Sequence, residues 1–149
     1  MKVVLLVGGK GIRLAGEDAS MPKALFSIGG KPIVHHIMQS FAACGMREFI
    51  LCLGYRGEQI VDYFLHSAPF EETDLRVELS GDGELPRVTR LGEARLAWEV
   101  TLARTGEEVN TGERVRRVRD YLADDEQFVV TYGDGLSDLD VRQLVSGMH

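Results

Sequence analysis

Residues 3–11, VVLLVGGKG, decide the fold of this chain. A short, continuous apolar run rich in valine is typical of a parallel strand that is covered on both faces, and we predict a first strand over residues 2–7. The run stops abruptly at Gly8-Gly9-Lys10-Gly11. Glycines at this point let the backbone come close to a ligand, and their N–H groups can converge on an anion. The opening therefore indicates an α/β protein with an anion-binding turn after its first strand.

Strand, helix, strand and helix alternate over the first 66 residues. Pro32 suits the first turn of a helix, Gly45 suits its end, and residues 49–53 form a second buried run. Residues 58–65 then have the apolar spacing of a second helix. Such alternation produces right-handed crossovers and a parallel sheet. We therefore predict a three-layer α/β/α, Rossmann-like fold with a mostly parallel sheet.

The second half of the chain continues the pattern less regularly. Strands are predicted over residues 75–79 and 98–103, the latter within the sheet or in an edge hairpin. Thr111 is predicted to cap a helix that runs to about residue 122. Residues 128–132 form another continuous apolar strand, and a last helix capped by Asp138 or Asp140 is expected after it.

Length, charge and cysteine content limit the classes of protein to consider. At 149 residues, with 44% apolar residues, the chain suits one globular domain, and its longest apolar run is far too short to span a bilayer. The net charge of −6 argues against a general nucleic-acid surface but allows a small anionic ligand in a locally cationic pocket. Cys44 and Cys52 lack metal-ligand spacing, so we expect two reduced thiols in a cytoplasmic protein.

Three cations, Lys10, Arg13 and Lys23, accompany the opening glycines. The segment is not a Walker loop, because no Gly-Lys-Ser or Gly-Lys-Thr follows at the right spacing. It is not the dinucleotide fingerprint either, because Leu14 stands where the third glycine belongs. The pattern favours a phosphate-binding turn, with a tight turn that carries exposed cations as the alternative.

Asp134 follows the apolar strand over residues 128–132. A carboxylate at the carboxyl end of a parallel strand points to the crevice where such sheets bind ligands, and it suits Mg²⁺ that also contacts substrate phosphates. The alternative is an Asx-turn, in which Asp134 bonds its own backbone. Glycines, cations and a metal-binding carboxylate together suit phosphoryl or nucleotidyl transfer.

Three other groups of residues receive structural interpretations. His35 and His36 are adjacent on a predicted helix, so their side chains point about 100° apart and do not easily serve one metal. The arginines at positions 114, 116, 117 and 119 are expected to form a solvated helix face, with Arg114 alone functional. Trp98 is expected to serve in packing rather than as a platform that stacks on a base.

Longer segments of the chain resemble a known family. LLVGGKGIRL (residues 5–14) and MPKALFSIGGKPIVHHIM (residues 21–38) resemble the signature of the sugar-phosphate nucleotidyltransferases. The segments ILCLGYRGEQIVDYF, WEVTLARTGEEVNTGERVRRVRDYL and FVVTYGDGLSDLDV are similar to the branch of glucose-1-phosphate cytidylyltransferases. This branch makes CDP-glucose and pyrophosphate from CTP and glucose 1-phosphate, without nucleic acid or membrane as partner.

The resemblance implies the nucleotide-diphospho-sugar transferase fold, Mg²⁺ as cofactor, and a place for the product in lipopolysaccharide O-antigen biosynthesis. Related enzymes that use UTP, dTTP or GTP stay open as alternatives. A truncated nucleotide-binding module without turnover also stays open.

The resemblance further implies a role for each matching residue. The nucleotide is expected to lie against the opening turn, which is made of Val7, Gly8, Gly9, Lys10, Gly11, Ile12 and Arg13. Arg13 is expected to hold the outgoing pyrophosphate, Lys23 to contact the α-phosphate, and Asp134 to bind Mg²⁺, which makes these three the implied catalytic residues. Thr111, Arg114 and Gly133 are expected to lie against the nucleotide.

This chain departs from the family pattern in composition and in length. Ile12 stands where the family usually has threonine, Met21 where it commonly has lysine, and Glu113 where it has glycine. Family chains continue with sugar-binding strands and a second metal-binding aspartate. We therefore interpret residues 1–149 as a single nucleotide-binding domain that is C-terminally truncated, with an apolar sheet edge that suggests a homo-oligomer.

Overall fold

The computed structural model describes residues 1–9, 20–68, 74–79, 81–92, 97–136 and 141–147. Strands and α-helices follow one another along these residues as β1 (Val3–Leu6), β2 (Ser27–Ile28), β3 (Lys31–Pro32), α1 (Ile33–Ala42), β4 (Glu48–Leu53), α2 (Gly57–Asp62), β5 (Asp74–Glu78), β6 (Arg87–Leu91), β7 (Glu99–Arg104), α3 (Thr111–Arg117), β8 (Val129–Tyr132) and α4 (Val141–Ser146). Short 3₁₀ turns occupy Lys23–Leu25 and Arg119–Leu122, and a π-helical turn, Tyr63–Ser67, extends α2.

The main sheet is parallel throughout its described strands, in the order β7-β4-β1-β8. Val3 pairs with Phe49 on one side and with Val129 on the other, so β1 lies in the interior of the sheet. All four residues of β1 are buried, as its continuous apolar sequence predicts. The predicted strand over residues 98–103 is β7, which joins the main sheet beside β4 and is not part of a hairpin.

Helices cover both faces of this sheet. On one face Val4, Ile50 and Cys52 form a core with Val118 and Leu122, which lie at and after the end of α3. On the other face Phe49 contacts the ring of Trp98, and Trp98 contacts the ring of His35 in α1. The predicted three-layer α/β/α arrangement is therefore confirmed, and Trp98 packs as expected.

The described chain divides into two compact units. One contains residues 1–60 and 98–149, and with them the whole parallel sheet. The other contains residues 61–97, where β5 and β6 form an antiparallel hairpin with exposed strands. The sequence predicts β5 but misses β6. The assignment of residues 1–149 to one truncated domain stays a prediction.

Several predicted boundaries need correction. Asn110, and not Thr111, caps α3, because the Asn110 Oδ1 atom accepts a hydrogen bond from the Glu113 N–H at 2.9 Å. The helix ends at Arg117 and does not continue to residue 122. Pro32 lies just before α1, at the cap position. The expected caps of the last helix, Asp138 and Asp140, lie outside the described residues. Within the described part of the chain, no helix has the length and apolar character needed to cross a membrane.

Candidate functional site

A cleft of about 590 Å³ lies at the carboxyl ends of β1 and β8. The residues that line it come from four parts of the first unit: the end of β1 with the turn after it, the 3₁₀ turn at Lys23, the loop between β7 and α3 with the first turn of α3, and the end of β8 with the turn after it. They are Leu6, Val7, Gly8, Gly9, Lys23, Ala24, Glu107, Glu108, Val109, Asn110, Thr111, Arg114, Tyr132, Gly133 and Asp134. This is the edge at which parallel α/β sheets bind ligands.

The structure brings together every predicted site residue that it describes. Those that line the cleft are Val7, Gly8, Gly9, Lys23, Thr111, Arg114, Gly133 and Asp134. The remaining four, Lys10, Gly11, Ile12 and Arg13, lie outside the described residues. The cleft therefore has the predicted backbone turn, one predicted lysine and the predicted carboxylate on its walls.

Two opposite charges face this cleft from different elements. Lys23 begins the 3₁₀ turn, is half-buried, and forms no ion pair with the described residues. Asp134 follows β8 by two residues and is exposed. Both side chains are thus available to a ligand that carries both phosphates and a metal ion.

Arg114 is the most enclosed charged residue of the cleft wall, with 4% of its surface exposed. Its Nη1 atom donates to the Leu53 carbonyl at 3.2 Å, the Thr105 hydroxyl at 2.8 Å and the Gly106 carbonyl at 2.6 Å. Its Nη2 atom donates to the carbonyls of Gly8 and Glu107, each at 3.1 Å. The guanidinium therefore ties the ends of β1, β4 and β7 together, and burial lowers its pKa.

Thr105 completes this network beneath the cleft. Its hydroxyl donates to the Leu53 carbonyl at 2.7 Å while it accepts from Arg114, and its backbone N–H donates to the same carbonyl at 3.0 Å. Only 1% of Thr105 is exposed. The buried polar groups thus satisfy one another, as a low-dielectric interior requires.

The glycines of the site differ in what an added side chain would contact. A Cβ atom on Gly8 would collide with the Arg114 guanidinium, and one on Gly54 would lie 2.6 Å from the Gly8 carbonyl oxygen. A Cβ atom on Gly133 would collide with the Val7 side chain. On Gly9 it would meet no described atom within 4 Å. Packing therefore requires glycine at positions 8, 54 and 133, whereas packing among the described residues leaves space beside Gly9.

The other arginines of α3 lie on the outside. Glu113 accepts from Arg116 at 2.7 Å and from Arg117 at 3.0 Å, and these hydrogen bonds lower the pKa of its carboxyl group to about 2. The side chains of Arg116 and Arg119 are 63% and 72% exposed. The predicted solvated arginine face is present, and Arg114 alone turns inward.

Sequence reasoning missed the acidic and polar part of the wall. Glu107, Glu108 and Asn110 line the cleft, and Gly54 and Thr105 support it from below. One signal could have found them: the TGEEVN segment directly follows a strand that reaches the same edge of the sheet as β1 and β8.

A four-stranded parallel sheet with a glycine-rich cleft at its carboxyl edge, lined by a lysine and an aspartate, defines an α/β protein of nucleotide-binding type. The chain belongs to the nucleotidyl transferase family, whose model matches residues 2–148. The predicted resemblance and fold are confirmed by this match.

Two relatives of the chain are cytidylyltransferases. The chain is 40% identical to the glucose-1-phosphate cytidylyltransferase of Salmonella typhimurium, over 97% of this chain and 54% of that protein. It is 42% identical to the probable glucose-1-phosphate cytidylyltransferase of Bacillus subtilis, over 98% of this chain and 55% of that protein. The chain thus spans about half the length of these relatives.

A solved structure of HddC from Yersinia pseudotuberculosis, complexed with GMP-PN, has a similar fold. The TM-score is 0.70 at 23% sequence identity, and the match covers 98% of this chain and 53% of that one.

Proposed function

We propose that this chain is the nucleotide-binding part of a CTP:glucose-1-phosphate cytidylyltransferase. The observation that carries the proposal is the cleft itself, where Gly9, Lys23 and Asp134 meet at one edge of the sheet although they are far apart in sequence. The identity of 40% and 42% to cytidylyltransferases supports the choice of CTP and glucose 1-phosphate over other substrates of the family.

The proposed reaction is an in-line displacement at the α-phosphorus of CTP. A phosphate oxygen of glucose 1-phosphate forms the new bond to phosphorus, and the bond to the pyrophosphate oxygen breaks with its electron pair. Because the attacking phosphate is already ionised near neutral pH, no general base is required. No histidine or cysteine is found among the described residues that line the cleft. Lys23 is proposed to stabilise the charge that develops on the α-phosphate.

Asp134 fits the role of magnesium ligand. Its carboxylate is exposed on the cleft, it makes no ion pair within the described chain, and it follows the strand β8 that pairs with β1. Mg²⁺ is commonly bound by one or two carboxylates together with substrate phosphates and water, so a single aspartate is a sufficient protein contribution. When bound, the ion neutralises phosphate charge.

The nucleotide preference tests the cytidylyl assignment. We expect CTP with Mg²⁺ to bind at least tenfold more tightly than UTP, dTTP or GTP, measured by isothermal titration calorimetry. A preference for one of the other triphosphates would replace CTP with that nucleotide. Asp134→Asn is expected to remove most of the Mg²⁺ dependence of binding, whereas Asp124→Asn, whose residue does not line this cleft, is the matched control.

Pyrophosphate release from CTP and glucose 1-phosphate tests turnover by the 149-residue chain. Release that depends on both substrates supports an enzyme. CTP binding without release supports a nucleotide-binding module that needs further sequence for catalysis. The cytoplasmic location, the homo-oligomer and the place in O-antigen biosynthesis stay predictions.

A further inference from the structure

We propose that Arg114 is a positioning residue that orients the Gly8–Gly9 peptide, so that the Gly9 N–H faces the nucleotide. Its buried guanidinium acts through the backbone of the opening turn and not by contact with the ligand. The inference rests on the proposed nucleotide-binding function and adds a mechanism by which this chain shapes the site.

The first step concerns the Gly8 carbonyl. Its oxygen accepts from Arg114 Nη2 at 3.1 Å and from the Tyr55 backbone N–H at 3.2 Å. Both donors belong to the protein interior at this point, because Gly8 is buried and Arg114 is almost fully enclosed. The carbonyl is therefore held pointing away from solvent.

The second step follows from the geometry of the peptide bond. A trans peptide places the carbonyl oxygen and the next N–H on opposite sides, and the described residues contain no cis peptide bond. With the Gly8 oxygen turned inward, the Gly9 N–H points outward. Gly9 is exposed and lines the cleft, and no described side chain lies within 4 Å of where its Cβ atom would stand. A donor fixed in this way costs a ligand no reorganisation of the turn.

The third step explains why the positioning residue is arginine. The guanidinium is a planar fork with five N–H donors, and here two of its nitrogens serve five oxygen atoms on three strand ends and the following loop. The ammonium of lysine keeps the charge but has three donors on one atom, so it cannot span the same oxygens. Arg114→Lys therefore separates the geometry of the fork from its charge.

A substitution at Gly8 tests the contact between Arg114 and the opening turn independently. A Cβ atom on Gly8 would collide with the guanidinium, so Gly8→Ala is expected to displace Arg114 from the turn. If both substitutions act on the Gly8–Gly9 peptide, the nucleotide affinity of the double variant Gly8→Ala/Arg114→Lys should be about that of the single variant with the lower affinity. Independent effects would multiply instead.

The experiment measures CTP binding with Mg²⁺ by calorimetry, together with the amide NMR shift of Gly9 and the hydrogen exchange of the Tyr55 amide. Arg114→Lys is expected to weaken CTP binding roughly tenfold to a hundredfold, to move the Gly9 shift and to speed Tyr55 exchange. Arg117→Lys is the matched control, because Arg117 lies on the same helix and donates to the Thr105 carbonyl at 2.6 Å, whereas the Gly8 carbonyl is bound by Arg114. It is expected to change CTP binding less than about threefold.

An unmoved Gly9 shift in Arg114→Lys, or multiplicative losses in the double variant, would overturn the proposal. If Arg114→Lys does not fold, Gly8→Ala decides through the hydrogen exchange of the Tyr55 amide, because replacing residue 8 moves the neighbouring Gly9 signal in any case. Unchanged Tyr55 exchange in Gly8→Ala would then overturn the proposal. If the unaltered chain binds no triphosphate, the proposed function fails, and the Gly9 and Tyr55 signals still decide whether Arg114 positions the turn.

Discussion

Gly133→Ala tests whether packing, and not the ligand, requires glycine after β8. The backbone of Gly133 donates to the Leu6 carbonyl at 3.0 Å, which holds the turn against β1. A Cβ atom at this position would overlap a methyl group of Val7, whose side chain is buried. Because the Gly133 backbone is not left-handed, the cost of alanine is steric and does not come from φ.

The expected magnitude follows from this overlap. Inserting a methyl group into a well-packed site costs about 1–3 kcal/mol. For a chain of this size that lowers the melting temperature by about 2–4 °C per kcal/mol. Val7→Ala removes the methyl group that Gly133→Ala would strike. We therefore expect Gly133→Ala to cost less than about 1 kcal/mol in the Val7→Ala background.

Urea denaturation followed by circular dichroism measures the four free energies of unfolding in this cycle. Gly135→Ala is the matched control from the same turn, because its Cβ atom would meet none of the described atoms within 4 Å, and it should change stability by less than about 0.5 kcal/mol. The packing argument fails if Gly133→Ala costs as much without the Val7 methyl groups as with them. Comparing CTP binding by the double variant with binding by Val7→Ala alone then shows whether Gly133 also contacts the nucleotide, because Val7 lines the cleft as well. Restored stability with weaker binding than Val7→Ala would demonstrate that contact.

Three further predictions follow from named contacts. Lys23→Ala is expected to lower CTP affinity roughly tenfold or more, measured by calorimetry, and to leave the urea midpoint nearly unchanged because Lys23 has no ion pair in the described chain. Hydrogen bonds from Arg116 and Arg117 lower the pKa of Glu113 to about 2, from an ordinary value of 4.5. Its stabilising contribution is therefore present above pH 4.5 and is lost as the pH falls towards 2. In Glu113→Gln the urea midpoint should therefore depend less on pH between pH 5 and about 2 than in the unaltered chain. An unchanged pH dependence would contradict the pairing of Glu113 with Arg116 and Arg117. Burial raises the Cys52 thiol pKa to about 11, so in the native chain at pH 8 a disulfide reagent should modify Cys44 rapidly and Cys52 only on unfolding, with Cys44→Ser removing the fast phase.

The parallel sheet was predictable because its signals are local. The apolar runs of β1, β4 and β8 each end at a glycine, and the helix between the first two strands has clear start and stop residues. The chirality and spacing of such units leave few arrangements for the strands. The placement of β7 beside β4 was open in the sequence, since a six-residue alternating strand fits a hairpin or a sheet edge equally well.

The cap of α3 is a feature that local sequence preferences do not decide. Asn110 and Thr111 are adjacent and both are common cap residues, so composition does not choose between them. The choice is made by the Asn110 side chain, which reaches the Glu113 N–H, while the helix is anchored below by Arg114. One residue of register in this helix decides which arginine turns inward, because neighbouring residues point about 100° apart.

The orientation of Arg114 could not be predicted, because two of its five partners are distant in sequence. The Gly8 carbonyl is 106 residues away and the Leu53 carbonyl is 61 residues away. A stripe of four arginines around position 114 looks like a solvated face, and three of the four behave as one. Only the assembled strand ends provide enough carbonyl oxygens to make burial of one guanidinium favourable.

The Gly8-Gly9 pair consequently carries two constraints that look identical in the sequence. Gly8 must lack a side chain because a guanidinium occupies that space, and its carbonyl must point inward to bind it. At Gly9, packing among the described residues leaves space for a side chain and does not by itself require glycine. Since the two residues share one peptide plane, the inward carbonyl of the first sets the outward N–H of the second. The inward carbonyl that binds Arg114 and the outward N–H of Gly9 therefore belong to one peptide group, and a change at either residue changes both.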